Sequence, residues 1–224
     1  MSDQTAQLEW RETEAGAVPI STQFDDPYYS LDNGLAETQH VFLDGNDLPA
    51  RFKDGFHVAE LGFGTGLNFL ATLEAFRWSG TSGRLRFTSF EAFPMAPADL
   101  NTALAPYTDL PTEVLKVPSL ETVNGPDFEL RVIIGDARTT LPNWTDEADA
   151  WFLDGFSPAK NPELWEEGLM KAVGAKTKSG GTFATYTAAG HVRRALADAG
   201  FEVQRVPGFG RKRHMTVGRM TDAE

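Results

Sequence analysis

Three glycines at alternate positions, Gly62, Gly64 and Gly66, constrain this chain more than any other feature. A short apolar approach (Phe56, Val58, Leu61) runs into them. Leu67, Leu70, Leu73 and Phe76 then leave at spacings of three, on one helical face. The pattern predicts a strand that enters a tight turn and leaves as a helix. Glycine supplies the left-handed backbone of such a turn and lets a ligand approach where a Cβ would collide. Each glycine also costs backbone entropy on folding, so three in alternation favour a nucleotide-type ligand over a bare turn.

Length and composition narrow the setting. The 224 residues suit one α/β domain, and 41% hydrophobic residues can bury a real core. No run approaches the roughly 20 apolar residues of a membrane helix. The start, M-S-D-Q-T-A-Q-L-E-W, lacks the basic and apolar stretches of a signal peptide, so a cytoplasmic protein is expected. With no cysteine there are no disulfides, thiolate metal sites or cysteine nucleophiles. Four histidines, His40, His57, His191 and His214, stand in no ligand spacing, and no metal is expected. The net charge of −12 argues against a nucleic-acid partner, but its distribution does not. Residues 1–159 carry 9 Lys/Arg against 25 Asp/Glu, whereas residues 160–219 carry 11 against 5. A basic patch around Arg211, Lys212 and Arg213 can meet phosphates while the rest repels them, or can be a solvated face.

Along the chain, Leu8, Trp10 and Val18 to Ile20 suggest short strands ahead of an acidic-aromatic segment, Ser21 to Ser30, which is either a lid or an N-terminal wrap. Residues 34–43 read as a short helix, and Asn46-Asp47 as the cap of another through Phe52. Residues 1–55 are expected to be an extension packed on a core of residues 56–224. In that core, strands are expected at Leu85 to Glu91, Leu130 to Ile134 (a buried run), Asp149 to Asp154, Thr182 to Thr187, Phe201 to Val206 and His214 to Met220. Helices are expected at Ala96 to Leu104, from Pro162 through Val173, and at Gly190 to Ala199. Such alternation predicts a doubly wound, mostly parallel α/β sheet with a C-terminal antiparallel hairpin. Glu60, Glu91, Asp136 and Asp154 put one acid at each of four strand ends, where open α/β sheets bind ligands. Glu91 suits ribose hydroxyls, Asp136 an adenine amino group, and the backbone N–H of Ala137 a ring nitrogen.

The acid-x-G-x-G-x-G spacing resembles the S-adenosylmethionine loop of class I (Rossmann-like) methyltransferases. More specific motifs are F-D-D-P-Y-Y-S (Phe24 to Ser30), W-F-L-D-G-F-S-P-A-K-N-P-E-L-W (Trp151 to Trp165), G-G-T-F-A-T-Y-T-A-A-G-H-V-R-R (Gly180 to Arg194) and G-F-G-R-K-R-H-M (Gly208 to Met215). Across roughly residues 20–218 the chain resembles the methyltransferase half of the MnmC/MnmD family. That resemblance implies methylation of the 5-aminomethyl group of (2-thio)uridine at wobble position 34 of tRNA. It implies a cofactor site of Glu60, Gly62, Gly64, Gly66, Asn68, Glu91, Asp136, Ala137 and Asp154, with Asp154 also catalytic. Tyr28, Tyr29, Phe156 and Tyr186 are candidates to stack on a splayed base, the common way of holding single-stranded RNA. Lys160, Arg193, Arg211, Lys212 and Arg213 are candidates for phosphate contacts. No FAD is expected in this chain; a separate FAD-dependent oxidoreductase would supply the flavin step, and no membrane partner is expected. Two other readings stay open: a methyltransferase acting on a small amine, and a non-catalytic cofactor-binding module assisting a flavoprotein.

Overall fold

The computed structural model describes residues 5–13, 16–30 and 33–221. Two strands, β1 (Leu8–Thr13) and β2 (Gly16–Ser21), form a hairpin that β3 (Asp26–Pro27) joins as a third strand. Next comes α1 (Gly34–Thr38), whose first turn is capped by the Asn33 side chain accepting from the Ala36 N–H. A wide π turn over Gln39–Leu43 and a tight turn over Asp44–Asn46 follow it. The main alternation runs β4 (His57–Leu61), α2 (Leu67–Trp78), β5 (Leu85–Glu91), α3 (Pro97–Leu104), β6 (Val123–Asn124), β7 (Phe128–Ile134) and α4 (Ala137–Thr140). It continues with β8 (Ala148–Leu153), α5 (Glu167–Ala175), β9 (Thr177–Thr185), α6 (Gly190–Asp198), β10 (Phe201–Pro207) and β11 (His214–Met220).

Eight strands make one sheet in the order β10-β11-β9-β8-β4-β5-β7-β6. Strands β7, β5, β4, β8 and β9 run parallel; β11 pairs antiparallel with both β9 and β10, and β6 antiparallel with β7. This is the doubly wound sheet and C-terminal hairpin expected from the sequence. Alternation along the strands splits the core in two. Val58, Phe87, Ala150 and Phe152 face Phe69, Leu70 and Leu73 of α2, whereas Ala59, Leu61, Trp151 and Leu153 face Leu169 and Val173 of α5 and Val192 and Leu196 of α6.

Four expectations need correction. Asn46 starts no helix: its buried amide donates to the carbonyls of Phe42 and Trp151, and Asp47 takes a left-handed φ of 57°. The helix expected from Pro162 divides, because Glu166 is extended between a 3-10 turn (Pro162–Trp165) and α5. Strand β9 begins at Thr177 rather than Thr182; Gly180, with φ +68°, lies within it, and its register with β8 shifts between Ala148 and Ala150. Strand β7 is half-buried and alternating, ending with Ile134 exposed.

The residues ahead of β4 are tied to the sheet through Arg51. Its guanidinium donates to the Asn46 carbonyl (2.9 Å), the Thr182 hydroxyl (2.5 Å) and the Asp149 carbonyl (2.9 Å), and Thr182 donates on to the Asn46 side chain (2.6 Å). Hydrogen bonds from a charged donor are strong, and removing it strands partly buried acceptors. Arg51→Ala is therefore expected to lower unfolding free energy by about 2 kcal/mol, read from the urea midpoint at an unchanged slope; an unchanged midpoint would show that the tie is not needed.

Candidate active site

Strands β4 and β8 are neighbours, but the chain leaves them toward opposite ends of the sheet, one to β5 and the other to β9. Ligands of open α/β sheets bind at such a switch point, outside the carboxyl ends of the strands. Here the glycine turn and the Asp154 loop meet backbone to backbone. Gly62 has φ +88°, and a Cβ on it would lie 3.0 Å from the Asp154 carbonyl oxygen. Gly64, at φ +54°, donates its N–H to Glu91 Oε2 (3.0 Å) and lies under the Tyr28 ring. Gly66, the third left-handed glycine, faces away: a Cβ there would meet Leu115 and Phe63 rather than the cavity. Above this floor opens a cavity of about 900 Å³, within the size range of cofactor sites.

Of the four strand-end acids, three line the cavity. Asp154 is half-buried, accepting from the Asn68 amide (2.9 Å) and from its neighbour's N–H at Gly155 (2.9 Å). Burial, with a smaller push from Glu37, raises its carboxyl to about 7 against the opposing pull of the Asn68 amide and Lys212. Glu91 is buried and accepts from Gly64 and Phe93 N–H groups; burial raises its carboxyl, and those donors oppose the rise. Asp136 caps α4 through the Arg138 N–H and grips the Arg138 guanidinium (2.6 Å), which holds its carboxyl below the usual range. Ala137 is the buried first residue of α4 beside it. Glu60 does not reach the cavity. It is the penultimate residue of β4, fully enclosed beneath the glycine turn, and bonds to Asn68 instead.

Aromatic rings build one wall. Phe24 stacks on Phe156 (4.7 Å between centroids), Tyr28 meets Phe156 edge-on (5.0 Å), and Phe93 meets Phe24 edge-on (5.8 Å). Tyr186 donates its hydroxyl to the Gly155 carbonyl (2.6 Å) and turns its ring under the Lys212 ammonium, 4.0 Å away. Tyr29 lines the cavity too, but its hydroxyl is spent on the Ala103 and Ala17 carbonyls, and its ring packs on Tyr107.

The basic residues divide. Lys212 pairs with Glu37 (2.7 Å), and Lys160 pairs with Asp26 (3.5 Å) and with Asp25, whose backbone carbonyl it also meets. Both lysines and Arg211 line the cavity. Arg213 is exposed on the hairpin tip and Arg193 sits half-buried on α6; neither lines the cavity. The physical reason for Arg193 is its place beside the buried Val192, Ala195 and Leu196 stripe that seats α6 on the sheet.

The sequence reading missed Glu37, which accepts from the Ser30 N–H as well as from Lys212, and Thr38, whose hydroxyl donates to Asn68 Oδ1 (2.8 Å). It also missed Asp26, which accepts from the Ser157 N–H (2.9 Å) and ties β3 to the Asp154 loop. Asp26 lies in one of the motifs that carry the resemblance, but no local spacing joins any of the three residues to its distant partner. Among the described residues no cluster of His, Asp and Glu could hold a metal, and no helix is long and apolar enough to cross a membrane.

The family model for S-adenosyl-L-methionine-dependent methyltransferases matches residues 101–221. The tRNA 5-methylaminomethyl-2-thiouridine biosynthesis bifunctional protein MnmC of Idiomarina loihiensis is 45% identical over 92% of this chain and 38% of its own length. That of Aeromonas hydrophila is 42% identical over 98% of this chain and 36% of its own. The chain thus spans little more than a third of these relatives. The crystal structure of MNMC2 from Aquifex aeolicus superposes with a TM-score of 0.77 at 25% identity, over 99% of this chain and 74% of the other.

Because the Asn68 amide is the donor that opposes burial at Asp154, removing it should shift the Asp154 titration. Selective NMR labelling of aspartate is expected to show Asp154 titrating near pH 7, and Asn68→Ala is expected to move that midpoint upward. A midpoint in the ordinary carboxylate range would contradict the enclosed geometry.

Proposed function

We propose that this chain, which belongs to the S-adenosyl-L-methionine-dependent methyltransferases, methylates the amine of 5-aminomethyl-(2-thio)uridine at the wobble position of tRNA. The product is 5-methylaminomethyl-(2-thio)uridine. One observation carries the reading. A carboxylate, Asp154, stands at the switch point against the glycine turn, in a cavity that also carries a wall of aromatic rings. The role in tRNA 5-methylaminomethyl-2-thiouridine biosynthesis that the MnmC relatives are named for supports the substrate, and their description as bifunctional fits a second activity in the part of their length that this chain does not match.

The residues present fit the cofactor. A Cβ at Gly62 would close the floor against Asp154, so glycine keeps the cradle open there. Glu91 uses one lone pair on each oxygen for backbone donors and retains acceptor capacity for two ribose hydroxyls. Asp136 and the Ala137 N–H are the groups that would read an adenine edge, with Arg138 sharing the carboxylate. When bound, S-adenosyl-L-methionine supplies an electrophilic methyl group on a sulfonium.

What remains for the protein is to hold and deprotonate the amine. A primary alkylamine with a pKa of about 10.4 is almost wholly protonated at neutral pH, and only its neutral form has a free lone pair. Asp154 binds the amine and accepts its proton directly or through water; N gains a methyl group and loses one H⁺. A carboxylate also stabilises the ammonium form. Its raised basicity matters for that reason, since an ordinary aspartate is a poor proton acceptor at pH 7. Tyr186 holds the loop through Gly155, and burial keeps its phenol neutral and able to donate. Tyr28 and Phe156 are the stacking faces, and Arg211, Lys160 and Lys212 are the phosphate contacts nearest the site.

The sign of the pH dependence follows. Asp154 must be ionised to take a proton, so kcat/KM for labelled-methyl transfer to tRNA bearing the aminomethyl nucleoside is expected to fall tenfold per unit as pH drops below about 7. Asp154→Ala should abolish transfer while cofactor binding by calorimetry persists. Transfer by the alanine variant at the normal rate would remove Asp154 from the reaction.

A further inference from the structure

Glu60 is a wholly buried acid that no step above uses. Its Oε1 accepts from the Asn68 amide nitrogen at 2.9 Å, and the same nitrogen donates to Asp154 Oδ2 at 2.9 Å. Thr38 donates to the Asn68 carbonyl oxygen at 2.8 Å. An amide has two N–H donors, so both are spent, one on each carboxyl group, and Asn68 is locked in one orientation. Its side chain is a bridge between the enclosed acid and the one at the cavity floor.

The other oxygen of Glu60, Oε2, is buried without a hydrogen-bond partner, and so is the hydroxyl oxygen of Ser89. Glu60 and Ser89 are register partners on the parallel strands β4 and β5, so their side chains rise from the same face. Among the described residues, none of the leading influences on this carboxyl is a cation. The groups that act on the Glu60 carboxyl are Ser89 on β5, Asn68 on α2, Asp154 after β8 and Glu91 at the end of β5. Burial pushes that carboxyl well above its usual range; the polar contacts of Ser89 and Asn68 oppose this, and the two acids add to it. An ionised carboxylate fully enclosed with only acids among its leading charged neighbours is strongly disfavoured in such a site.

We propose that Glu60 is kept as a neutral carboxylic acid and serves as a positioning residue, fixing through Asn68 the direction in which Asp154 faces the cavity. A proton on Oε2 gives that oxygen something to donate, with Ser89 opposite to accept it. Glu60 thus does not contact the cofactor, although it opens the acid-x-G-x-G-x-G motif.

Stability against pH tests the neutral state without any substrate. The folded chain keeps a proton on Glu60 that the unfolded chain releases above about pH 4.3, and a group raised in this way loses its stabilising contribution as pH rises. As pH rises above about 5, the unfolding constant of the native protein, relative to that of Glu60→Gln, is expected to rise about tenfold per pH unit for as long as the folded chain keeps the proton; Asp154 titrates in both chains and cancels. A ratio that stays flat overturns the neutral assignment. The positioning role rests on the reaction proposed above and has its own readout. Glu60→Ala is expected to lower kcat on the order of a hundredfold, with Gln recovering most of that loss and the Asp154 titration returning to its native midpoint. Native kcat in the alanine variant, or no recovery by glutamine, overturns it. Should the alanine variant not fold, the glutamine chain still decides, because a charged Glu60 predicts that Gln both loses rate and shows no pH-dependent gain.

Discussion

The active end of this protein depends on the close approach of two loop backbones, Gly62 against the Asp154 carbonyl. A side chain at Gly62 would lie 3.0 Å from that oxygen and force the loops apart. The contact exists because β4 and β8 are parallel neighbours while the segments between them cross to other strands. From it follow the open cradle of the glycine turn, the place of Asp154 at the cavity floor, and the reach of Asn68 from the first turn of α2 to Asp154. Binding site and chemical group therefore come from one packing event, each supported by buried strands on both faces of the sheet.

Charge is arranged around that floor with more economy than a sequence tally suggests. The basic surplus of the late segment is partly engaged: Lys212 by Glu37 and the Tyr186 ring, Lys160 by Asp25 and Asp26. Acids from the segment ahead of β4 thus hold cations from the segment after β8 across the cavity mouth. Ion pairs at a solvent-facing rim are weak and screened by salt, so a polyanion can compete for the same ammonium groups. In the proposed reaction those pairs would exchange partners as the anticodon loop arrives.

Much of this was legible in the chain because it is written locally. The strand, glycine turn and helix over residues 56–76 follow from apolar spacing and three left-handed positions, and the final hairpin follows from two short runs around G-F-G-R-K-R. What stayed hidden depends on tertiary register. Nothing near Glu60 says that its side chain points beneath the turn rather than over it, since one residue along a strand decides the face. Asn46 looked like a helix cap because its alternative partners, the Phe42 and Trp151 carbonyls, are supplied by folding. Likewise Thr38 and Glu37 gain their meaning only when α1 lies against α2 and the hairpin tip.

Nucleoside mass spectrometry puts the central claim to the most direct test. tRNA carrying unmethylated 5-aminomethyluridine is incubated with the purified chain and S-adenosyl-L-methionine, then digested to nucleosides. The account predicts a mass gain of one CH₂ on that nucleoside alone. A gain on any other nucleoside, or none while the cofactor binds, would contradict it.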